Sequence, residues 1–187
     1  MWPWLAILSL LVITALQLRH QGRLWWCLCG QLFVWAGEVC SPHNSQHFLD
    51  PYSFTHLLHG VMFCGLLALG LRAFGQRLTF LWQLFAVILL ESLWEVFENT
   101  EFVIERYREA TAALGYHGDS VFNSLGDIFS CAVGFIIARR LGLRRSLVLF
   151  VLTEIVLTIW IRDSLLLEIV MLVHPIEAIK AWQMCPF

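Results

Sequence analysis

Glu91, Glu95 and Glu98 recur at i, i+4 and i+7 of one apolar stretch, which sets all three carboxyls on a single helix face. At 1.5 Å rise per residue, Glu91 lies roughly 12 Å inside the end marked by Asn99. An ionisable side chain in hydrocarbon costs roughly 2.5–3.5 kcal/mol on insertion scales and by default marks a functional site. A single such acid is explained by protonation or by a bond to a helix neighbour. Three in register call for protein, water or a cation opposite them.

A second polar stripe answers the first. Asp119, Asn123 and Asp127 repeat every four residues at the start of a later apolar stretch. Asp119 follows Gly118 and is as well explained by capping a helix N-terminus; Asp127, as deep as Glu91, is not. His56 and His59 are three apart at the start of another stretch, so both face one side of it. A lone intramembrane histidine is usually a hydrogen-bonded core residue. A pair opposite carboxylates suits a divalent ion such as zinc, manganese or iron. The expected ligands are His56, His59, Glu95 and Asp119, with Glu91, Glu95, Glu98 and Asp127 as acid–base groups. Substrate contacts are expected from His47, Asn99, Asn123, Arg106 and Arg108, the arginines holding an anionic headgroup. His43 and Asp50 read as lid groups or as a solvated loop, the loop being favoured for His43.

These groups meet only if the elements carrying them are antiparallel membrane helices. The 187 residues are 59% hydrophobic and 14% charged, against roughly 25% charged in soluble domains. The chain therefore reads as one all-α, polytopic integral membrane domain over residues 1–187. Five transmembrane helices are expected, at 2–18, 53–71, 78–98, 120–138 and 147–161. Residues 24–37 are too short for an ordinary span and suit an interfacial or re-entrant piece. Residues 165–175 suit the interface. Because consecutive spans alternate, the start of one, the end of the next and the start of the third lie at one face, where the acids and histidines fall. Arg139, Arg140, Arg144 and Arg145 mark the opposite face as cytoplasmic, so the site is expected to face the periplasm. The first stretch lacks a charged leader and a cleavage site and reads as an uncleaved anchor.

Cys27, Cys29, Cys40 and Cys185 fall on the outer side, where an oxidising compartment can pair them. Cys27-x-Cys29 is tighter than the usual zinc spacing, which favours a disulfide or free thiols over a metal role. Cys64 and Cys131 read as core residues. A net charge of −2 and the lack of a basic run exclude a nucleic-acid partner. No nucleophile elbow, phosphate loop or nucleotide fingerprint is present.

The succession NSQH, YSF-x-H-x-x-HG, E-x-x-WE-x-x-EN, ERYREAT, GDS-x-x-NS-x-x-D and IRDSLLLEIVML resembles a family of small bacterial inner-membrane proteins known only as a domain of unknown function. The family pattern has Glu where this chain has His43, and Trp where it has Pro51. The order of His, Glu-rich helix and Asp/Asn is more faintly similar to VanZ-like membrane proteins. The resemblance implies inner-membrane location and a shared site, without an activity. Three classes of function follow from the residues. The first is a metal-dependent enzyme acting on a membrane lipid or lipid-linked substrate. The second is an accessory subunit bound to a membrane-protein partner or to a second copy of itself. The third is a proton- or cation-coupled transporter, against which the lack of an inverted repeat argues.

Overall fold

The computed structural model describes residues 2–111 and 115–184. Eight helices succeed one another among them: α1 (Trp2–His20), α2 (Ser53–Ala73), α3 (Phe80–Glu98), α4 (Glu101–Ala110), α5 (Val121–Leu141), α6 (Leu143–Trp160), α7 (Leu165–Val173) and α8 (Glu177–Gln183). There is no β-strand among the described residues, only an isolated bridge between Trp35 and Leu49. Helices α1, α2, α3 and α5 are long and apolar enough to cross a membrane. Leu66, Leu69, Leu90, Leu93, Val151 and Ile155 stand exposed on the bundle's outer surface, as side chains facing lipid would.

Residues 147–161, the fifth expected span, are helical within α6 apart from Ile161. That helix also carries Arg144, Arg145 and the buried Glu154, whose carboxylate accepts the Leu166 N–H at 3.2 Å. Its 18 residues thus hold three charged side chains. Residues 24–37 form no helix at all. They run as an irregular loop whose Leu24 and Trp25 carbonyls accept the Val121 and Phe122 N–H groups, and whose Ala36 N–H bonds the Leu49 carbonyl at 2.9 Å. Its alternative partners satisfy the backbone, so helix formation is not required. Because this loop does not span, the end of α1 lies at the same face as the start of α2, and the Gln21 side chain reaches the Val96 carbonyl near the end of α3 at 3.0 Å.

The main axis of the fold is the crossing of α2 and α5. A Cβ on Gly60 would lie 1.9 Å from the Cys131 carbonyl oxygen, and one on Gly134 would lie 2.0 Å from the Leu57 carbonyl oxygen. The two glycines therefore let the backbones meet, as small residues do at membrane helix interfaces. Ser120 caps α5, its hydroxyl accepting the Asn123 N–H at 3.1 Å, while Arg139 and Arg140 complement the dipole at the other end. Below the polar face, Ile7, Leu84, Val87, Ile88, Ile128 and Phe135 from α1, α3 and α5 form a closed apolar core.

Gly60→Leu and Gly134→Val should each destabilise the purified protein by more than the ~1–3 kcal/mol typical of overpacking, because the obstructing atoms are backbone. Gly65→Ala and Gly70→Ala, whose surroundings are open, should be neutral or slightly stabilising. Thermal unfolding in one detergent checks both pairs.

Candidate functional site

The first two turns of α2, the last two of α3 and the first two of α5 come together at one end of the bundle. Glu91 lies at the centre and is fully buried. Its Oε1 is 2.6 Å from His56 Nδ1 and 3.0 Å from His59 Nδ1, and its Oε2 is 3.1 Å from His59 Nδ1. Two nitrogen and oxygen ligands of one tetrahedral ion stand roughly 3.3 Å apart, so the 2.6 Å contact is a short charge-assisted hydrogen bond instead. One carboxylate thus orients two imidazoles through their Nδ1 atoms. Glu91 takes the place of an orienting acid behind the histidines, where an acid–base role at the reacting centre had been expected of it.

Asp127 stands on the far side of His56, its Oδ2 4.0 Å from Nε2, and its Oδ1 accepts the Ser53 hydroxyl at 2.8 Å. Glu95 Oε1 is 3.3 Å from His56 Nδ1, but the hydrogen there is directed at Glu91. Neither Glu95 oxygen, nor Glu98 Oε2, has a hydrogen-bond partner among the described residues. Such groups are costly unless a proton, water or cation meets them. His56, Glu95 and Glu98 can each offer a ligand atom within 4.8 Å of the others, as can His56, His59 and Glu91. The orphaned oxygens make the first trio the better cradle, and its nitrogen-and-carboxylate chemistry fits a divalent manganese, iron or zinc ion.

Asp119 is not the helix cap, a role that falls to Ser120. Asn99 Nδ2 donates to Asp119 Oδ2 at 2.8 Å, and Asn99 Oδ1 accepts the Asp119 N–H at 2.8 Å. The Tyr116 hydroxyl donates to Asp119 Oδ1 at 3.0 Å. Burial raises the Asp119 carboxyl, against the lowering effect of the Asn99 and Tyr116 bonds. It belongs to neither trio of possible ligands that includes His56. Asn99 is therefore a brace. Asn123 is one too: its Nδ2 donates to the His47 carbonyl at 2.8 Å. Asp50 completes this brace by accepting the Ser45 and Tyr52 N–H groups, each at 2.8 Å.

A cavity of about 1290 Å³ opens above these groups, with His56, His59, Glu98, Asp119, Asn123 and Asp127 on its wall. Glu91 and Glu95 stand behind that wall. The expected substrate arginines face elsewhere. Arg106 Nε donates to the Leu172 carbonyl at 2.8 Å, at the end of α7. Arg108 Nε donates to the Tyr116 carbonyl, and its Nη2 meets His117 Nδ1 at 2.8 Å. The cation on the cavity wall is Arg23, which bonds the Gln21 and His117 carbonyls. Its position at the end of α1 gave no periodic signal. Tyr52, Trp94, Tyr107, Asp163 and Glu168 also line the space and lie in stretches whose residue types alone carry no signature. His47, fully buried, is turned away from the carboxylates and pairs with His43. Cys185 lies outside the described residues.

Fold and site together define a helical membrane protein with histidine and glutamate groups able to hold a metal ion. The family known as "Protein of unknown function (DUF2585)" matches residues 18–185, and the chain belongs to it. A UPF0314 protein of Sinorhizobium fredii is 44% identical over 183 residues, 97% of this chain and 91% of the relative. One from Paracoccus denitrificans is 41% identical over 181 residues, 97% and 92% of the two chains. One from Novosphingobium aromaticivorans is 44% identical over 168 residues, 89% and 84%. No solved structure matches.

The cavity's upper wall gives a pH signature. Burial lifts the Asp163 carboxyl from 3.8 to about 7, despite bonds from the Ser164 N–H and the Tyr52 hydroxyl. The folded protein retains this proton where the unfolded chain loses it. Stability from this group is complete below about pH 4 and is lost as pH rises to about 7. In Asp163→Asn, the amide oxygen can keep the Ser164 bond and the amide nitrogen can donate to Tyr52. This variant should gain stability relative to the parent as pH rises from 4 to 8, measured by thermal unfolding across that range.

Proposed function

We propose that this chain is a metal-dependent enzyme of the bacterial inner membrane that acts on a lipid or lipid-linked substrate at the periplasmic face. The observation that carries the reading is Glu95: a fully buried carboxylate beside His56 and Glu98, its Oε1 3.3 Å from His56 Nδ1 and neither oxygen hydrogen-bonded among the described residues. His56, Glu95 and Glu98 would hold the ion, which supplies Lewis acidity and lowers the pKa of a bound water. Glu91 fixes the tautomer of both imidazoles, leaving the Nε2 atoms to bind or exchange protons. Asp127, near His56 Nε2, is placed to take a proton from a nucleophile or return one to a leaving group. Tyr107 and Tyr116 place hydroxyls at Glu98 and Asp119 on the cavity wall, and Arg23 supplies positive charge for an anionic headgroup.

The cavity suits an amphipathic molecule. Met62, Phe63, Trp94, Ile169 and Leu172 give it apolar sides above the polar floor. Its volume exceeds the roughly 300–1,000 Å³ usual for small-molecule pockets. A transport path would need polar groups through the other half of the bundle, but the closed core of Leu84, Val87, Ile88 and Phe135 fills that half. The accessory-subunit reading has no comparable observation in its favour.

Manganese(II) should bind at about one equivalent, read as loss of the free-ion electron paramagnetic resonance signal. Glu95→Gln should abolish that binding, and Glu91→Gln should weaken it by about 10–100-fold, as loss of an orienting partner does. Lipid extracts of cells carrying the parent or Glu95→Gln protein, at equal abundance, should differ in at least one lipid or lipid-linked species. Identical extracts, or manganese binding insensitive to Glu95→Gln, would end this reading. For orientation, a periplasm-active phosphatase fused after Thr100 should be active and one fused after Gly142 inactive.

A further inference from the structure

We infer that Cys27, Cys29, His43 and His47 form a second metal site, a zinc-class S2N2 centre that closes the rim of the cavity. It uses none of the residues of the proposed catalytic centre. All four can offer ligand atoms within 4.8 Å of one another. His43 Nδ1 is 3.1 Å from His47 Nε2 and 3.6 Å from Cys27 Sγ. In a tetrahedral zinc site, bonds of 2.0–2.1 Å to nitrogen and about 2.3 Å to sulfur set edges of roughly 3.3 Å between nitrogens and 3.6 Å between nitrogen and sulfur. The observed separations match those edges. Cys27 and Cys29 are free thiols, whereas Cys40 in the same segment is disulfide-bonded.

The local backbone explains how so short a spacing can work. The Cys29 N–H points at Cys27 Sγ at 3.3 Å, and the Gln31 N–H points at Cys29 Sγ at 3.5 Å. Each sulfur thus receives an amide two residues ahead, which curls the turn. Gly30, at φ 74°, permits the reversal after Cys29 that brings the Gln31 N–H back to its sulfur. These are the outer hydrogen bonds that orient metal ligands. On the other side, His47 is fully buried against Phe33, ring centroids 4.8 Å apart, and stacks on His43 at 5.2 Å.

Without an ion, His47 Nδ1 accepts the Phe33 N–H at 3.3 Å, so Nε2 carries the proton and donates it to His43 Nδ1. Coordination through Nε2 moves that proton to Nδ1 and gives up the Phe33 contact. The two thiols each release a proton to bulk water as they bind. Soft sulfur and imidazole donors in tetrahedral array select zinc over manganese or magnesium. Such a centre would tie residues 27–29 to residues 43–47 within the single connection, 21–52, that joins α1 to α2. The first part of that connection is otherwise fastened to α5 through the Leu24 and Trp25 carbonyls and to Leu49 through the Ala36 N–H. The site's role is to hold the cavity rim in place.

Cobalt(II) is the probe, added to the purified full-length protein with its native disulfide intact. The parent should show sulfur-to-cobalt charge-transfer absorption and intense tetrahedral d–d bands at one equivalent. Cys29→Ser, at an exposed position, should lose most of the charge-transfer band, and Cys27→Ser/Cys29→Ser all of it. Glu95→Gln should retain it in full, which separates this site from the catalytic proposal. Zinc should also slow alkylation of Cys29 at least tenfold, reversibly with chelator. Absence of the charge-transfer band in parent protein at saturating cobalt, or equal alkylation with and without zinc, would overturn the inference. So would a band unchanged in the double variant. If the double variant fails to fold, the alkylation rate of the parent protein decides alone.

Discussion

A charged carboxylate with no solvent exposure is costly unless hydrogen-bond donors meet it, and Glu91 finds two histidines. Hydrogen bonds to a charged group contribute about 1.5–3 kcal/mol, while stranding one member of a buried pair costs about 3–5 kcal/mol. That asymmetry fixes the relative height of α2 and α3, because sliding either helix by one residue, about 1.5 Å, would pull His56 from its 2.6 Å contact. The rest of the polar end follows from this registration. Asp127 faces the opposite edge of His56, and Ser53 ties Asp127 to the start of α2.

The glycines make this geometry reachable. Imidazoles on α2 meet a carboxyl on α3 and another on α5 only if α2 and α5 approach at backbone distance. Gly60 permits that approach one turn below His56, and Gly134 two turns below Asp127. The close crossing and the polar cluster are therefore two ends of one arrangement: small residues set the separation, and hydrogen bonds set the register. Apolar packing beneath them closes the bundle toward the other face.

The connecting segments divide the labour. Asn99, Asn123 and Asp50 spend their hydrogen-bonding capacity on backbone and on one another. They hold the loops that roof the cavity. Arg106 serves the carbonyls at the end of α7. Polar residues near a site are thus of two kinds. Those with satisfied partners build the walls, whereas neither Glu95 oxygen is hydrogen-bonded among the described residues.

The apolar runs, the i, i+4, i+7 spacing of the glutamates and the alternation of span direction suffice to set His56, His59, Glu91, Glu95, Glu98 and Asp127 at one depth. Helical periodicity is local, so the sequence alone determined the helix faces, the polar end of the bundle and five apolar stretches, four of which form helices long and apolar enough to cross a membrane. Partner choice is not local. Only the tertiary structure decided that Glu91 orients both histidines, that Ser120 and not Asp119 caps α5, and that Arg23 rather than Arg106 or Arg108 reaches the cavity. Residues 24–37 show the same limit: their hydrophobicity suggested a membrane piece, while bonds to Val121, Phe122 and Leu49 made them a loop. That loop carries Cys27 and Cys29 to His43 and His47, from the far side of a segment whose fold no local pattern specifies. A hydrogen bond between residues distant in the chain depends on where two backbones come to rest, and periodicity carries no record of that.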